Sequence, residues 1–384
     1  MPAFDVVVVG LGAMGSAAVY HLARKGQRVL GLDRFAAGHG FGSSHGATRI
    51  IRLGYFEHPS YVPLLRRAYA LWRELEAARG EPLLRITGIA EIGPPGGRVV
   101  AGTLAAARIH ALPHTVLTAA ELMRRFPQFR VPADTIAVLQ PDGGFLRAEP
   151  SIRAHLELAK AAGAELRVGE TVRAIEPRAG GVRIESDRGT VEAGAAIIAA
   201  GPWVTKLRPD LRVPLRVTRQ VMAWFEPLDA ALFAADRFPV FLLESRLGVH
   251  YGFPADDVGV KLAKHHHGDE AVDPDSVERS VSAADEALIR AALAEHLPAA
   301  NGPMRSAQAC LYTMTPDGDF IIDCLDSPRI VLASPCSGHG FKFAPVVGEI
   351  VAGLATDGTT SHDISRFRLD RFAEVRKPLD FVSR

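Results

Sequence analysis

The chain has 384 residues, 48% of them apolar and 23% charged, and its 36 glycines and 26 prolines fall well below the share that marks low-complexity chains. The length leaves room for two or three domains and a large core without disulfides. A formal net charge of +1 excludes the overall electrostatic footprint of a nucleic-acid binder, and three widely spaced cysteines without a CxxC pair exclude a disulfide scaffold and argue against a zinc site.

Residues 4–9 form a β-branched run that fits a strand buried on both faces. Gly10-Leu11-Gly12-Ala13-Met14-Gly15 follows, then a helical stretch over 13–25 that Gly26 closes. A second strand is expected at 29–33. Helices are expected at 59–79, 149–162, 283–296 and 345–355. Residues 83–145 read as mixed, with turn signals at Pro94-Pro95-Gly96-Gly97 and Asp142-Gly143-Gly144. Short strands are expected at 173–177, 182–186, 190–193 and 195–200, then at 215–226, 239–244, 249–253, 258–263 and 330–333. The tail, 361–384, carries some strand character. No run reaches the roughly 18 apolar residues of a membrane span, and the N-terminus lacks the basic opening of a signal peptide. The expectation is a cytoplasmic protein with no membrane or nucleic-acid partner.

Gly10, Gly12 and Gly15 spell GxGxxG between a strand and a helix. The first glycine makes the tight turn, the second lets backbone approach a pyrophosphate, and the third lets the helix pack on the strand. The helix start offers free N–H groups and partial positive charge to that pyrophosphate. Asp33, at the end of the second strand, suits a ribose hydroxyl pair. The motif alone leaves NAD and FAD open. Ile197-Ile198-Ala199-Ala200-Gly201 is similar to the second small-residue turn of FAD-binding Rossmann proteins and favours FAD.

Read together, the segments resemble the monomeric sarcosine oxidase and N-methyltryptophan oxidase family of D-amino-acid-oxidase-like flavoproteins. The resemblance covers nearly the whole chain. It is carried by Gly42-Ser43-Ser44-His45-Gly46-Ala47-Thr48-Arg49-Ile50-Ile51-Arg52, Tyr251-Gly252-Phe253-Pro254, Gly259-Val260-Lys261-Leu262, Cys310-Leu311-Tyr312-Thr313-Met314-Thr315-Pro316-Asp317 and Ser337-Gly338-His339-Gly340-Phe341-Lys342. It implies a mixed α/β fold: a Rossmann-type FAD-binding domain (1–85, 146–215, 305–384) and a largely antiparallel-sheet substrate domain (86–145, 216–304), both discontinuous. It also implies a monomer that oxidises an N-methyl amino acid with O₂, sarcosine first, giving glycine, formaldehyde and hydrogen peroxide.

The resemblance assigns roles. Cys310 matches the cysteine that holds FAD covalently through its 8α-methyl group; the other reading is a buried free thiol. Ser44, His45, Thr48 and Arg49 fall beside the cofactor, where a cation stabilises charge developing on the flavin. Gly201, Gly338, His339 and Gly340 also fall on cofactor positions, and His339 could equally be structural. Arg52 and Lys342 match the pair that holds the substrate carboxylate, a planar fork and a point charge. Lys261 matches the lysine that promotes the O₂ step. His265 matches an active-site histidine that could tune amine protonation, although His265-His266-His267 could instead bind metal. Tyr251, Tyr312 and Leu242 fall at the substrate cavity. Leu242, Phe56, His58 and a loop before Lys261 that is one residue short depart from the sarcosine oxidase pattern, so N-methyltryptophan, pipecolate or another secondary amino acid is an alternative substrate. A dehydrogenase with another electron acceptor, or a non-catalytic dinucleotide sensor, remain rival readings.

Overall fold

The strand Phe4–Val9 occupies the middle of an eight-stranded sheet, as its run of β-branched residues requires. It pairs in parallel with Val29–Asp33 on one side and with Gly189–Ile198 on the other. Glu165–Val168 and Ile330–Ser334 extend the parallel core outward. The hairpin of Val172–Arg178 and Gly181–Ser186 and the short strand Ile321–Cys324 are antiparallel additions at its margins. The structure, a computed structural model, describes residues 3–211, 213–325 and 327–373.

Three helices cover one face of this sheet: Ala13–Arg24, Ala148–Ala161 and Ala344–Asp357. Small residues let them cross closely. A Cβ on Gly348 of the last helix would stand 2.6 Å from the Ala17 carbonyl carbon of the first. The core beneath them is continuous from Val6 and Val8 through Trp72 to Val346, Ile350 and Val351.

The second sheet also has eight strands, in the order Met304–Met314, Arg216–Phe225, Val260–Lys264, Gly248–Ala255, Val240–Ser245, Ile89–Gly93, Ile136–Gln140 and Thr115–Thr118. All neighbours are antiparallel except Val240–Ser245 against Ile89–Gly93. Phe225, Phe233, Phe238 and Phe241 fill its own core, under the helix Ala283–His296. A three-stranded sheet (Thr48–Ile51, Gly144–Arg147, Leu84–Ile86) lies where the chain passes between the two. The fold is thus mixed α/β, with a mixed sheet and a largely antiparallel sheet, each assembled from separated stretches of chain.

Several expectations change. Residues 190–193 and 195–200 form one strand, Gly189–Ile198, because its first half pairs with the hairpin and its second half with the parallel core. The eleven-residue strand Met304–Met314 pairs along its length with Arg216–Phe225. The chain therefore leaves the antiparallel sheet near 314, not at the expected boundary of 304. In the tail, residues 365–372 form two short 3-10 turns rather than strand; the expectation for 374–384 falls outside the described residues. No helix among the described residues is long and apolar enough to cross a membrane.

Candidate active site

An elongated cavity of about 520 Å³ runs from the glycine turn to the inner face of the antiparallel sheet. At one end Gly10 has φ +95°, and a Cβ there would stand 2.4 Å from the Ala199 carbonyl oxygen. A Cβ on Gly15 would stand 1.7 Å from the Gly10 oxygen, so only glycine lets the helix seat on the strand. Gly12 keeps its open side toward the cavity, with only Ser44 Oγ within 3.5 Å of a Cβ. Asp33 is buried and accepts from Leu11 N (2.7 Å) and Phe35 N (2.7 Å), which fixes its carboxylate at the cavity edge. This cradle of glycine backbone, helix start and fixed acid fits a dinucleotide such as FAD.

Most of the expected site residues line the same cavity. Gly10, Gly12, Asp33, Ser44, Gly201, Gly338, His339 and Gly340 lie along it, and Arg49, Arg52, Leu242, Tyr251, His265, Cys310, Tyr312 and Lys342 surround its inner end. Gly15, His45, Thr48 and Lys261 stand behind the wall.

Arg49 is locked by backbone oxygens. Its guanidinium donates to Thr48 O (2.8 Å), Ser43 O (2.9 Å) and His45 O (2.5 Å), so carbonyls rather than a carboxylate hold this charge beside Cys310. Burial pushes the Cys310 thiol up from its ordinary value, and Arg49 draws it back in part. His45 Nε2 lies 2.9 Å from Ala309 O, and burial followed by the Arg49 charge lowers its pKa to about 4. Its ring is therefore neutral at neutral pH.

Lys261 is fully enclosed. Its amine donates to Gly46 O (2.6 Å), Thr48 O (2.8 Å) and Thr48 Oγ1 (3.2 Å), and faces the rings of Phe253 and Trp224. Burial, then Arg49, pushes its pKa well below the ordinary lysine value. Burial thus opposes the charged form, while the three oxygens around Nζ match the three N–H donors of an ammonium group.

Arg52 and Lys342 meet although 290 positions separate them in the chain, because the arm after Thr48–Ile51 and the turn before Ala344–Asp357 both reach the inner end. Lys342 Nζ donates to His339 O (2.7 Å) and its pKa is lowered to about 7 by burial and by Arg52. Arg52 lies between Tyr55 and Phe56 and donates to both oxygens of Glu57 (2.9 and 2.7 Å) and to Gly54 O (2.7 Å). Burial would raise the Glu57 carboxyl, but Arg52, His339 and Lys342 pull it down to about 2. Glu57 is thus an ionised partner already in the place where a substrate carboxylate is expected.

His339 is held on both sides. Nε2 meets Gly318 O at 2.9 Å and must be the donor there, so Nδ1 accepts the Tyr55 hydroxyl at 2.6 Å. His265 Nδ1 lies 3.4 Å from Tyr312 Oη, and burial, then His266, holds its pKa well below the ordinary value. His266 packs on His265, and His267 pairs with Asp285 at 2.8 Å. Among the described residues no group of three or more potential metal ligands gathers.

A model of the FAD dependent oxidoreductases matches residues 5–354. The chain belongs to that family. Within it, the chain stands with the sarcosine oxidase group of flavoprotein amine oxidases. It is 41% identical over 379 residues to the monomeric sarcosine oxidase of Streptomyces avermitilis, covering 97% of this chain and 98% of that protein. It is 39% identical to the N-methyl-L-tryptophan oxidase of Salmonella arizonae, covering 97% of this chain and all of the other. Among solved structures, NikD, an amino acid oxidase essential for nikkomycin biosynthesis, in its open form, matches with a TM-score of 0.84 at 29% identity, over 96% of this chain and 98% of that one.

Tyr55, Glu57 and Glu91 belong to the site but were not expected from the sequence. Glu57 sits among ordinary polar residues and gives no local signal. Glu91 does give one: a carboxyl in the middle of the otherwise apolar and small run Ile89-Ala90-Glu91-Ile92-Gly93 is costly to bury and calls for a partner.

Proposed function

We propose that the protein oxidises a small N-methyl amino acid, sarcosine first, with water and O₂ to the primary amino acid, formaldehyde and hydrogen peroxide. The observation that carries this reading is the buried basic pair Arg52 and Lys342 at the inner end of a dinucleotide-shaped cavity, beside Cys310 and the carbonyl-locked Arg49. Bound FAD supplies the two-electron acceptor.

Arg52 and Lys342 hold the substrate carboxylate, which takes over the Arg52 contacts now made by Glu57. Phe56, Leu242, Tyr251 and Tyr312 wall the inner end and keep water from it. Phe56 is pinned between the guanidinium groups of Arg52 and Arg98, which limits the room for a bulky substituent. Neutral His265 can accept the proton that the secondary amine must lose before its lone pair assists oxidation. Arg49 stabilises negative charge at the cofactor edge. Lys261, its amine held by three oxygens behind the cavity wall, supplies positive charge that stabilises the negative charge developing as O₂ is reduced. Cys310, buried at the inner end of the cavity beside Arg49, would hold the flavin covalently through its Sγ. The enzyme acts as a monomer.

The test is the purified protein in air with sarcosine, N-methyl-L-tryptophan and pipecolate. The reading expects the highest kcat/KM with sarcosine, and peroxide and formaldehyde in equal amounts. A preference for N-methyl-L-tryptophan moves the substrate but keeps the chemistry. Turnover with an artificial acceptor and no peroxide replaces the oxidase with a dehydrogenase.

A further inference from the structure

Glu91 lies in the strand Ile89–Gly93, fully buried, and neither carboxyl oxygen meets a hydrogen-bond donor. Its one close charge is Arg52, with Nη1 3.6 Å from Oε1. Arg52 therefore stands between two acids, Glu57 bonded at 2.7 Å and Glu91 just outside bonding distance. The other neighbours do not satisfy Glu91. The flanking strands place Leu242 and Val138 at its rung. The helix Val62–Arg79 contributes Tyr69, whose hydroxyl donates to Asp142 O. The helix Arg98–His110 contributes Thr103, whose buried hydroxyl approaches the Glu91 carboxyl and opposes the effect of burial, though without a well-aligned hydrogen bond.

Counting charge at the inner end gives the consequence. With Lys342 neutral, Arg52 and Glu57 cancel. If Glu91 were also ionised, the group would carry a net negative charge and would repel a carboxylate. If Glu91 keeps its proton, expelling Glu57 leaves Arg52 free to pair with an incoming anion. Because Glu91 does not line the cavity, it acts through Arg52 and is a positioning residue.

We propose that Glu91 is a protonated reserve acid that decides whether Arg52 is available to a substrate carboxylate: protonated, it leaves the guanidinium to the ligand; ionised, it competes for it. This rests on the oxidase reading only in taking Arg52 as the carboxylate site. Burial raises the Glu91 carboxyl to about 8 against the pull of Arg52, so the proton is present at pH 7 and is lost above about pH 8.

The experiment measures propionate, a carboxylate without an amine, binding to the flavin-loaded enzyme by calorimetry from pH 6.5 to 9.5. Native protein is compared with Glu91→Gln and, as a second fold-neutral variant, Glu91→Val. Lys342 contributes a pH dependence common to all three. Relative to its own affinity at pH 7, each variant should lose about tenfold less affinity at pH 9 than the native protein, the factor expected for one group titrating near 8. With sarcosine, KM should follow the same pattern and kcat should not. Equal pH profiles in folded native and variant proteins overturn the proposal, and so does an equal loss of affinity at every pH. If propionate fails to bind the native enzyme, both the proposal and the Arg52 site fall. If propionate binds as expected but no secondary amine bleaches the flavin, the oxidase reading alone falls.

Discussion

Binding a carboxylate at Lys342 should draw a proton into the protein. Burial and the neighbouring Arg52 lower this amine to about 7, so at pH 7.5 about three-quarters of the ligand-free molecules carry it neutral. A carboxylate about 4 Å from Nζ, at an effective dielectric of about 20, interacts by about 4 kcal/mol. At 1.36 kcal/mol per unit, that would raise the amine by about three units, less the pull of the displaced Glu57 that already acts on it, and so still well above 7.5. The complex therefore keeps the proton at pH 7.5, and Lys342 takes up about three-quarters of a proton per carboxylate bound. The assay is calorimetric titration with propionate in two buffers of different ionisation enthalpy. Lys342→Met should lower the proton count by about three-quarters. An unchanged count in a folded Lys342→Met protein that still binds propionate would refute the assignment of a titrating amine to the carboxylate site.

Three further outcomes follow from the same geometry. Cys310→Ala should send the yellow colour to the supernatant after acid precipitation, whereas the native protein should keep it in the pellet; colour in the native supernatant removes the covalent link. Lys261→Met should slow reoxidation by O₂ on the order of 10²–10³-fold, the cost of losing one preorganised electrostatic contact, and leave anaerobic reduction nearly unchanged; stopped-flow absorbance separates the two half-reactions. Burial, the largest cause in each case, lowers His21, His250 and His339 to about 4 and His155 to about 3. A histidine lowered in the folded state contributes stability that is complete above its unfolded value near 6.5 and is lost as pH falls toward 4. Each should cost about 1.4 kcal/mol per pH unit in that window. Urea midpoints that stay level between pH 6.5 and 4.5 would contradict this.

What the sequence shows depends on how local the cause is. The opening strand–turn–helix unit is legible because glycine spacing and apolar runs act over a few residues, and Ala13–Arg24 ends where Gly26 stops it. The helix Ala283–His296 is legible for the same reason, its start fixed by a Ser282–Asp285 capping box. The strand Met304–Met314 is not, since polar Arg305, Ser306 and Gln308 break its pattern and pairing with Arg216–Phe225 holds it extended. In the site, the resemblance points to Arg52, Lys342 and Cys310, and they line one cavity. It does not show that Glu57 already holds Arg52, or that Lys261 lies behind the wall under two carbonyls. The Arg52–Glu57 pair spans only five residues but depends on how the arm after Thr48–Ile51 folds back, and the Lys261 contacts come from packing across 215 and 213 residues.

The most direct test of the account is anaerobic addition of sarcosine to the purified, flavin-loaded protein, followed by admission of air. The account predicts that the flavin absorbance bleaches, that it returns with oxygen, and that hydrogen peroxide forms in step with its return. A flavin that stays oxidised in the presence of sarcosine, N-methyl-L-tryptophan and pipecolate alike would contradict it.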